Sequence, residues 1–429
     1  MPAARRFLIF AVIFSLVAGL VSSNPIYSRL FFRLFYLCAG LIVVSWLISK
    51  WVLRGIQFTR SSRTLRSQVG QIFEEKFDVI NPGRLPRLWI EIRDEGNLPG
   101  AYSSHVLTMV GSGETHTYVS RTRLMLRGVF SLGPTSLISG DPFGLFPVSR
   151  TYPGENSLLV YPLLLEIHSF PNPPGMLPGG EALRRRTTQI TSNAAGVREY
   201  APGDPLNRIH WLSTARRNRL MVKEFELDPL AEVWIFVDSS RDVQVDQPRL
   251  VVQFEPQEVW RKKYQFKLPP STIEYGVTIA ASLSRYYIQR GRAVGLVSTG
   301  HSLRVLPSDR GGRQLGKILE ALALLQPEVD LPMHAMVEAQ ARYLPRGSTV
   351  VVITPGSSDG VYLTADILRR RGLRPVMVLV DAASFGKPDV SQERLLNTLT
   401  ALHFTCCQVK DGDDLTEVLS TTLSRTYWT

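Results

Sequence analysis

The strongest constraint on this chain lies at its N-terminus. Phe7 to Ser23 carries no charge, and a second apolar run extends from about Leu30 to Leu53, with Arg33 and Lys50 near its ends. A hydrocarbon layer offers no water to backbone N–H and C=O groups, so apolar runs of this length resolve as helices with internal hydrogen bonds. The uncharged parts are slightly short for a hydrocarbon core of ~30 Å, and flanking Arg and Lys add reach by snorkelling. Asn24-Pro25 joins them as a brief turn, so residues 1–55 are expected to form a transmembrane helical hairpin. Lys and Arg are retained on the cytoplasmic side. Arg5 and Arg6 precede the hairpin and Lys50, Arg54, Arg60, Arg63 and Arg66 follow it, against Arg29 and Arg33 near the turn. Both ends, and the bulk of the chain, are therefore expected to face the cytoplasm. In the alternative reading the first run is a signal peptide cleaved near Val21 and Ser23, and the second run stops transfer with the bulk still inside.

Beyond the anchor, residues 56–78 read as a short charged helix, with Leu65, Val69, Ile72 and Phe73 at helical spacing. Short alternating runs bounded by Gly and Pro, such as Leu88–Arg93, His116–Leu126 and Ser157–Tyr161, predict a β-sandwich-like domain over 79–170. The stretch from Pro171 to Gly180, PNPPGMLPGG, sustains neither helix nor strand and opens a linker and motif region over 171–228. From 229 to 429 strand and helix alternate. Val233–Val237, Ala293–Ser298, Thr349–Ile353 and Pro375–Val380 read as strands, and Ile273–Gln289, Gln314–Leu325, Tyr362–Arg371 and Gln392–Leu402 as helices. Continuous apolar strands alternating with helices call for an α/β, doubly wound, parallel sheet. Residues 242–270, rich in Gln, Lys and Pro, look like an insertion after its first strand.

Residues 198–217, REYAPGDPLNRIHWLSTARR, crowd arginines, acids, a Gly203-Asp204-Pro205 turn and Trp211 together. Asp204 followed by Pro205 reads as a helix start, with the helix running from Leu206 to about Arg217, Ile209 and Leu212 on one side and Trp211 close by. Arg198–Tyr200 and Leu220–Glu226 alternate as flanking strands. A phosphate site built on Arg198 and Arg208 meets the negative charge of Asp204 at the helix start. A nucleic-acid patch needs exposed stacking aromatics, whereas Tyr200 and Trp211 equally fit an apolar face. An ionic junction, with Glu199 and Asp204 neutralising Arg198, Arg208 or Arg216, suits the bidentate chemistry of arginine.

The pattern Arg198-Glu199-Tyr200-x-Pro202-Gly203-Asp204-x-x-x-Arg208-Ile209-x-Trp211-x-x-x-Ala215-Arg216 resembles the signature of the bacterial DUF58 family, a domain of unknown function. Arg127–Pro134 and Asp141–Phe146 also look like that family's strand-rich region, and the resemblance covers nearly the whole chain. It implies an inner-membrane protein with a C-terminal domain similar to a von Willebrand factor A domain, and a MoxR-type AAA+ ATPase as partner. It makes Arg198, Glu199, Gly203, Asp204, Arg208, Trp211 and Arg216 the binding residues to examine. A-type domains often hold Mg²⁺ through Asp-x-Ser-x-Ser after the first strand, with Thr and Asp from later loops. Here Asp238 and Ser240 match, but Asp242 replaces the last Ser, and Thr354-Pro355-Gly356 lacks the acidic residue. Asp238, Ser240 and Thr354 are thus weak metal candidates, and no cofactor is expected.

The charge balance of 49 Lys and Arg against 37 Asp and Glu, +12 in all, asks for an anionic neighbour. Anionic lipid beside the anchor supplies one, and no nucleic acid is expected. No phosphate loop, His-Glu-x-x-His pair or Gly-x-Ser-x-Gly elbow occurs, and the three cysteines, Cys38, Cys406 and Cys407, build no disulfide framework. Cys406 and Cys407 lie in a buried-type strand, where burial raises a thiol pKa. The sequence-level expectation is a membrane-anchored interaction protein that is not an enzyme and has no small-molecule substrate. The alternative is a divalent-metal adhesion or enzymatic site on the A-type domain.

Overall fold

A computed structural model describes residues 3–101, 104–154, 156–170, 194–202, 204, 206, 209–225, 232–246, 266–300, 303–357, 359–387 and 392–421. The chain divides into two compact units, one from Met1 to Tyr161 and one from Pro162 to Leu250 and again from Gln265 to Thr429.

The first unit opens with helices α1 (Ala3–Val21) and α2 (Pro25–Val52). Asn24 caps α2, its side chain accepting the Ile26 N–H at 3.0 Å, and Pro25 stands where a helix needs no donor. The pair closes as a hairpin: the Ser28 hydroxyl donates to the Gly19 carbonyl at 2.9 Å, and the Phe14 and Phe31 rings meet edge-on at 6.3 Å. At ~1.5 Å per residue, the 19 residues of α1 reach about 28 Å and the 28 of α2 about 42 Å, against a hydrocarbon core of ~30 Å. Large apolar side chains such as Phe7, Phe10, Leu30, Leu37 and Val44 are exposed on them. Both helices are long and apolar enough to cross a membrane.

A strand-rich region follows: β1 (Gln57–Ser62), β2 (Arg66–Gln68), β3 (Ile72–Ile80), β4 (Arg87–Asp94), β5 (Ser104–Val110), β6 (Thr115–Arg123), β7 (Gly128–Leu132), β8 (Thr135–Ser139), β9 (Val148–Tyr152) and β10 (Asn156–Tyr161). They form three sheets, ordered β1-β3-β6, β2-β10-β7 and β5-β4-β8-β9. The helix expected over 56–78 is therefore corrected to strands. Phe73, Phe77 and Val79 occupy the buried positions of β3 with Glu75 between them, and that inward carboxylate breaks the apolar alternation that marks a strand. Arg60 on β1 makes the position tenable. Its guanidinium binds Glu75 through two bonds of 2.8 and 3.0 Å and Asp94 through two of 2.9 and 3.0 Å, with a further bond of 3.1 Å to Thr135. Ile90, Ile92, Leu107 and Leu137 build the adjacent core with Phe77, Val79 and the C-terminal end of α2.

The second unit contains β11 (Ala194–Glu199), α3 (Trp211–Arg217) and β12 (Met221–Phe225), then an α/β domain. The domain runs β13 (Glu232–Val237), α4 (Thr272–Gln289), β14 (Ala293–Thr299), β15 (Leu303–Asp309), α5 (Gly312–Ala323), α6 (Met333–Ala341), β16 (Thr349–Thr354), α7 (Asp359–Arg370), β17 (Arg374–Val380), α8 (Gln392–Ala401), β18 (Thr405–Val409) and α9 (Leu415–Thr421). Six strands lie in the order β15-β14-β13-β16-β17-β18, all neighbours parallel except β14 with β15. Trp234, Phe236, Val350, Val352, Met377 and Leu379 project into one core with α6, α7 and α8. Ile353, of opposite parity, lies under Gly276 of α4. Burial on both faces is what the continuous apolar strands required. The edge strand β15 and helices α6 and α9 were not read from the sequence. The proline-rich stretch 171–180 and most of the expected insertion at 242–270 lie outside the described residues.

Candidate functional site

The expected strands flanking the motif are present and pair with each other. Arg198 stands opposite Val222 and Glu199 opposite Met221, and the ribbon continues where the Tyr200 N–H donates to the Leu220 carbonyl at 2.8 Å. The chain between them turns tightly and returns beside β12, where Ile209 bridges Val222 and the His210 N–H donates to the Met221 carbonyl at 2.8 Å.

Asp204 closes that turn. Its carboxylate takes both terminal nitrogens of Arg198, at 2.6 and 2.7 Å, and the Ala201 N–H at 2.9 Å. The expectation of one helix running from Leu206 to about Arg217 is corrected: Ile209 pairs with Val222 as a bridge, and α3 begins at Trp211. Its cap is His210, whose Nδ1 accepts the Ser213 N–H at 3.2 Å. Asn218 ends the helix in the left-handed region at φ 50°, which Asn tolerates, and turns the chain into β12.

The orientation of α3 is the unexpected result. Thr214 faces the ribbon, its Oγ1 accepting the Met221 N–H at 3.0 Å, and Ser213 is held by His210. The opposite stripe, Trp211, Leu212, Ala215 and Arg216 at positions i, i+1, i+4 and i+5, faces outward. Trp211 is 67% exposed and Leu212 63%, so the packing expected for these two is reversed. Leu206 and Leu220 are also exposed, as are Arg216, Arg217 and Arg219 at the far end of the helix. Of the predicted residues, the structure joins Arg198 to Asp204, pairs Glu199 with Arg219 at 2.9 Å, and places Trp211 and Arg216 on one outward face. Gly203 and Arg208 lie outside the described residues. Sequence reasoning missed Arg219, Leu206 and the His210 cap. The spacing of Trp211, Leu212, Ala215 and Arg216 marks one face, but spacing does not say which way that face looks.

A second locus lies where β13 ends between β14 and β16, the crevice of an open α/β sheet. Thr354 donates its hydroxyl to Asp238 Oδ2 at 2.6 Å, the Ser240 N–H donates to Oδ1 at 3.2 Å, and the Gly356 N–H donates to Thr354 Oγ1 at 2.9 Å. Burial pushes Asp238 up to about 6, against the pull of the Thr354 and Ser240 hydrogen bonds, and the nearby charge of Asp242 adds to the rise. The three weak metal candidates are thus brought together. Ser240 Oγ is buried with no hydrogen-bond partner among the described residues. Those residues hold no group of three or more His, Cys, Asp or Glu side chains placed to hold a metal ion.

Fold and loci together define a class: two N-terminal helices able to span a membrane, a strand-rich region, and an α/β sheet domain introduced by an arginine-rich ribbon and helix. Residues 196–249 match the family described as "Protein of unknown function DUF58". The chain is similar to the uncharacterized protein YeaD of Bacillus subtilis (strain 168), with 23% identity over 262 residues covering 61% of this chain. The match spans about half, 55%, of that relative's length. Among solved structures, the CARDB domain of the PF1109 protein of Pyrococcus furiosus, in complex with di-metal ions, aligns with 24% of this chain and 91% of its own at 12% identity and a TM-score of 0.18. A Paenibacillus cycloisomaltooligosaccharide glucanotransferase aligns with 75% of this chain and 44% of its own at 8% identity and a TM-score of 0.16. Scores this low carry neither fold nor function.

Proposed function

We propose that this chain is a membrane-anchored interaction protein whose ribbon and α3 present a docking surface to a protein partner. The outward stripe of α3 carries this reading. A short surface helix ordinarily turns apolar residues inward, yet here Trp211 and Leu212 stand in solvent while hydroxyls face the ribbon. Trp and Arg are the side chains most enriched where binding energy concentrates, and an exposed apolar group rimmed by arginines suits an acidic, partly apolar surface. The Arg198–Asp204 and Arg219–Glu199 pairs hold the ribbon beneath it.

The finer reading places this surface on a von Willebrand A-type domain, which the strand order with one antiparallel edge beside β14 supports. The three-sheet region is read as sandwich-like. The partner is a MoxR-type AAA+ ATPase, and the basic residues Arg5, Arg6, Lys50 and Arg54 favour a cytoplasmic location for the hairpin ends at the inner membrane. The test is co-purification of the full chain from detergent with that ATPase in each nucleotide state. Wild type should retain it, and Trp211→Ala with Leu212→Ala should lose at least about tenfold in affinity while keeping wild-type circular dichroism. Equal retention by both proteins, or by neither, would refute the surface.

The buried, unpartnered Ser240 Oγ favours a second reading, in which Asp238, Ser240 and Thr354 supply hard oxygen ligands to Mg²⁺. Calorimetry with Mg²⁺ and Mn²⁺ decides it, since this reading requires binding that Asp238→Ala abolishes.

A further inference from the structure

An apolar groove with one polar side chain in its wall lies in the first unit, between the two N-terminal helices and the Leu145–Phe146 loop. It measures about 290 Å³ and is lined by Arg5, Leu8 and Ile9 of α1, Ile42, Val43 and Trp46 of α2, and Leu145 with Phe146. The loop that closes it is firmly seated. Asp141, fully buried, accepts the Phe143 and Phe146 N–H groups at 3.0 and 2.7 Å, and the Ser49 hydroxyl of α2 donates to the Phe146 carbonyl. The Arg5 guanidinium lies 4.7 Å from the centre of the Phe146 ring, with its Nε buried and without a hydrogen-bond partner among the described residues. Among the described residues, no acid lines the groove. A buried cationic N–H without an acceptor is costly, so a ligand of the groove must bring an anionic oxygen for Arg5 and hydrocarbon for the rest.

The surroundings of the groove identify the source of such a molecule. The outer faces of both helices are apolar and exposed, as at Phe7, Phe10, Val44 and Leu47, and both helices are long enough to span a bilayer. Lys50, 4.6 Å over the Trp46 ring, adds a second cation at the α2 end of the hairpin. We propose that this groove is a binding site for one anionic phospholipid, with its phosphate on Arg5 and an acyl chain laid between α1, α2 and the Leu145–Phe146 loop. This rests on the membrane-anchored reading but not on any protein partner.

The test is native mass spectrometry of the full chain, purified in mild detergent and supplied with phosphatidylglycerol or with diacylglycerol, which lacks the phosphate. Wild type should retain one phosphatidylglycerol per chain and no diacylglycerol. Arg5→Gln should retain it at least about tenfold less well, the scale of one charge-assisted hydrogen bond. Ile42→Trp, which fills the groove and leaves Arg5 in place, should abolish retention, so the result does not depend on one variant folding. Equal retention by wild type and both variants, or equal retention of the two lipids, overturns the site. Membrane fractions washed with carbonate separate the premises: a chain that washes off overturns the anchor and this site with it, whereas a chain that stays embedded yet carries no lipid overturns the site alone.

Discussion

Replacing Arg60 with Met tests how the strand-rich region tolerates a carboxylate in its core. The guanidinium is 14% exposed and joins Glu75, 3% exposed, to Asp94, 12% exposed, so solvent screens these bonds little. Met keeps an apolar stem beside Phe77, whose ring lies 5.1 Å from the Arg60 guanidinium, and removes only the charge and its hydrogen bonds. Leaving a buried charge without its partner costs about 3–5 kcal/mol, which at ~2–4 °C per kcal/mol lowers the melting temperature by roughly 6–20 °C. Burial already holds Glu75 above the usual carboxylate range, against the downward pull of its bonds to Arg60. A raised folded pKa means that stability from this group is complete below the ordinary Glu range and is lost as pH rises through the folded value. Removing Arg60 lifts that value further. Thermal melts of the full chain in detergent should therefore show an Arg60→Met deficit that is large at about pH 8 and shrinks towards about pH 5. Adding Glu75→Met should recover more than half of it. A deficit independent of pH, or a double variant no better than the single, refutes the unpaired carboxylate as the cause.

Two further outcomes follow from packing and burial. Gly295 of β14 lies opposite Trp234, and a Cβ there would stand 2.5 Å from the indole ring, so Gly295→Ala should cost about 1–3 kcal/mol by overpacking, read as a lower melting temperature. Burial, with the neighbouring Cys407 adding, pushes the Cys406 thiol up to about 12. At neutral pH Cys406 should therefore resist iodoacetamide in the folded chain and label fully in denaturant; rapid labelling of the native protein would contradict its placement.

How much of this was legible varied with how directly a pattern reports its surroundings. The α/β domain read well because a strand buried on both faces, such as Thr349–Thr354, is apolar without interruption, and a helix such as Thr272–Gln289 is long enough for its period to show. Residues 72–80 misled because Glu75 occupies an inward position that only Arg60, fifteen residues away, makes stable. The motif was half legible. Arginine chemistry anticipated an Arg198–Asp204 pair, but Asp204 followed by Pro205 also read as the start of a helix reaching Arg217, whereas Ile209 bridges Val222 and α3 starts only at Trp211.

The sequence alone determined where a membrane can hold this chain and where a parallel sheet begins, because hydropathy over a window depends on composition rather than on partners. Tertiary structure alone decided which way α3 faces. A seven-residue helix is too short to choose its inner side by hydrophobicity, and the choice fell to the Met221 N–H, which needs the Thr214 hydroxyl as acceptor and so turns Trp211 and Leu212 to the outside.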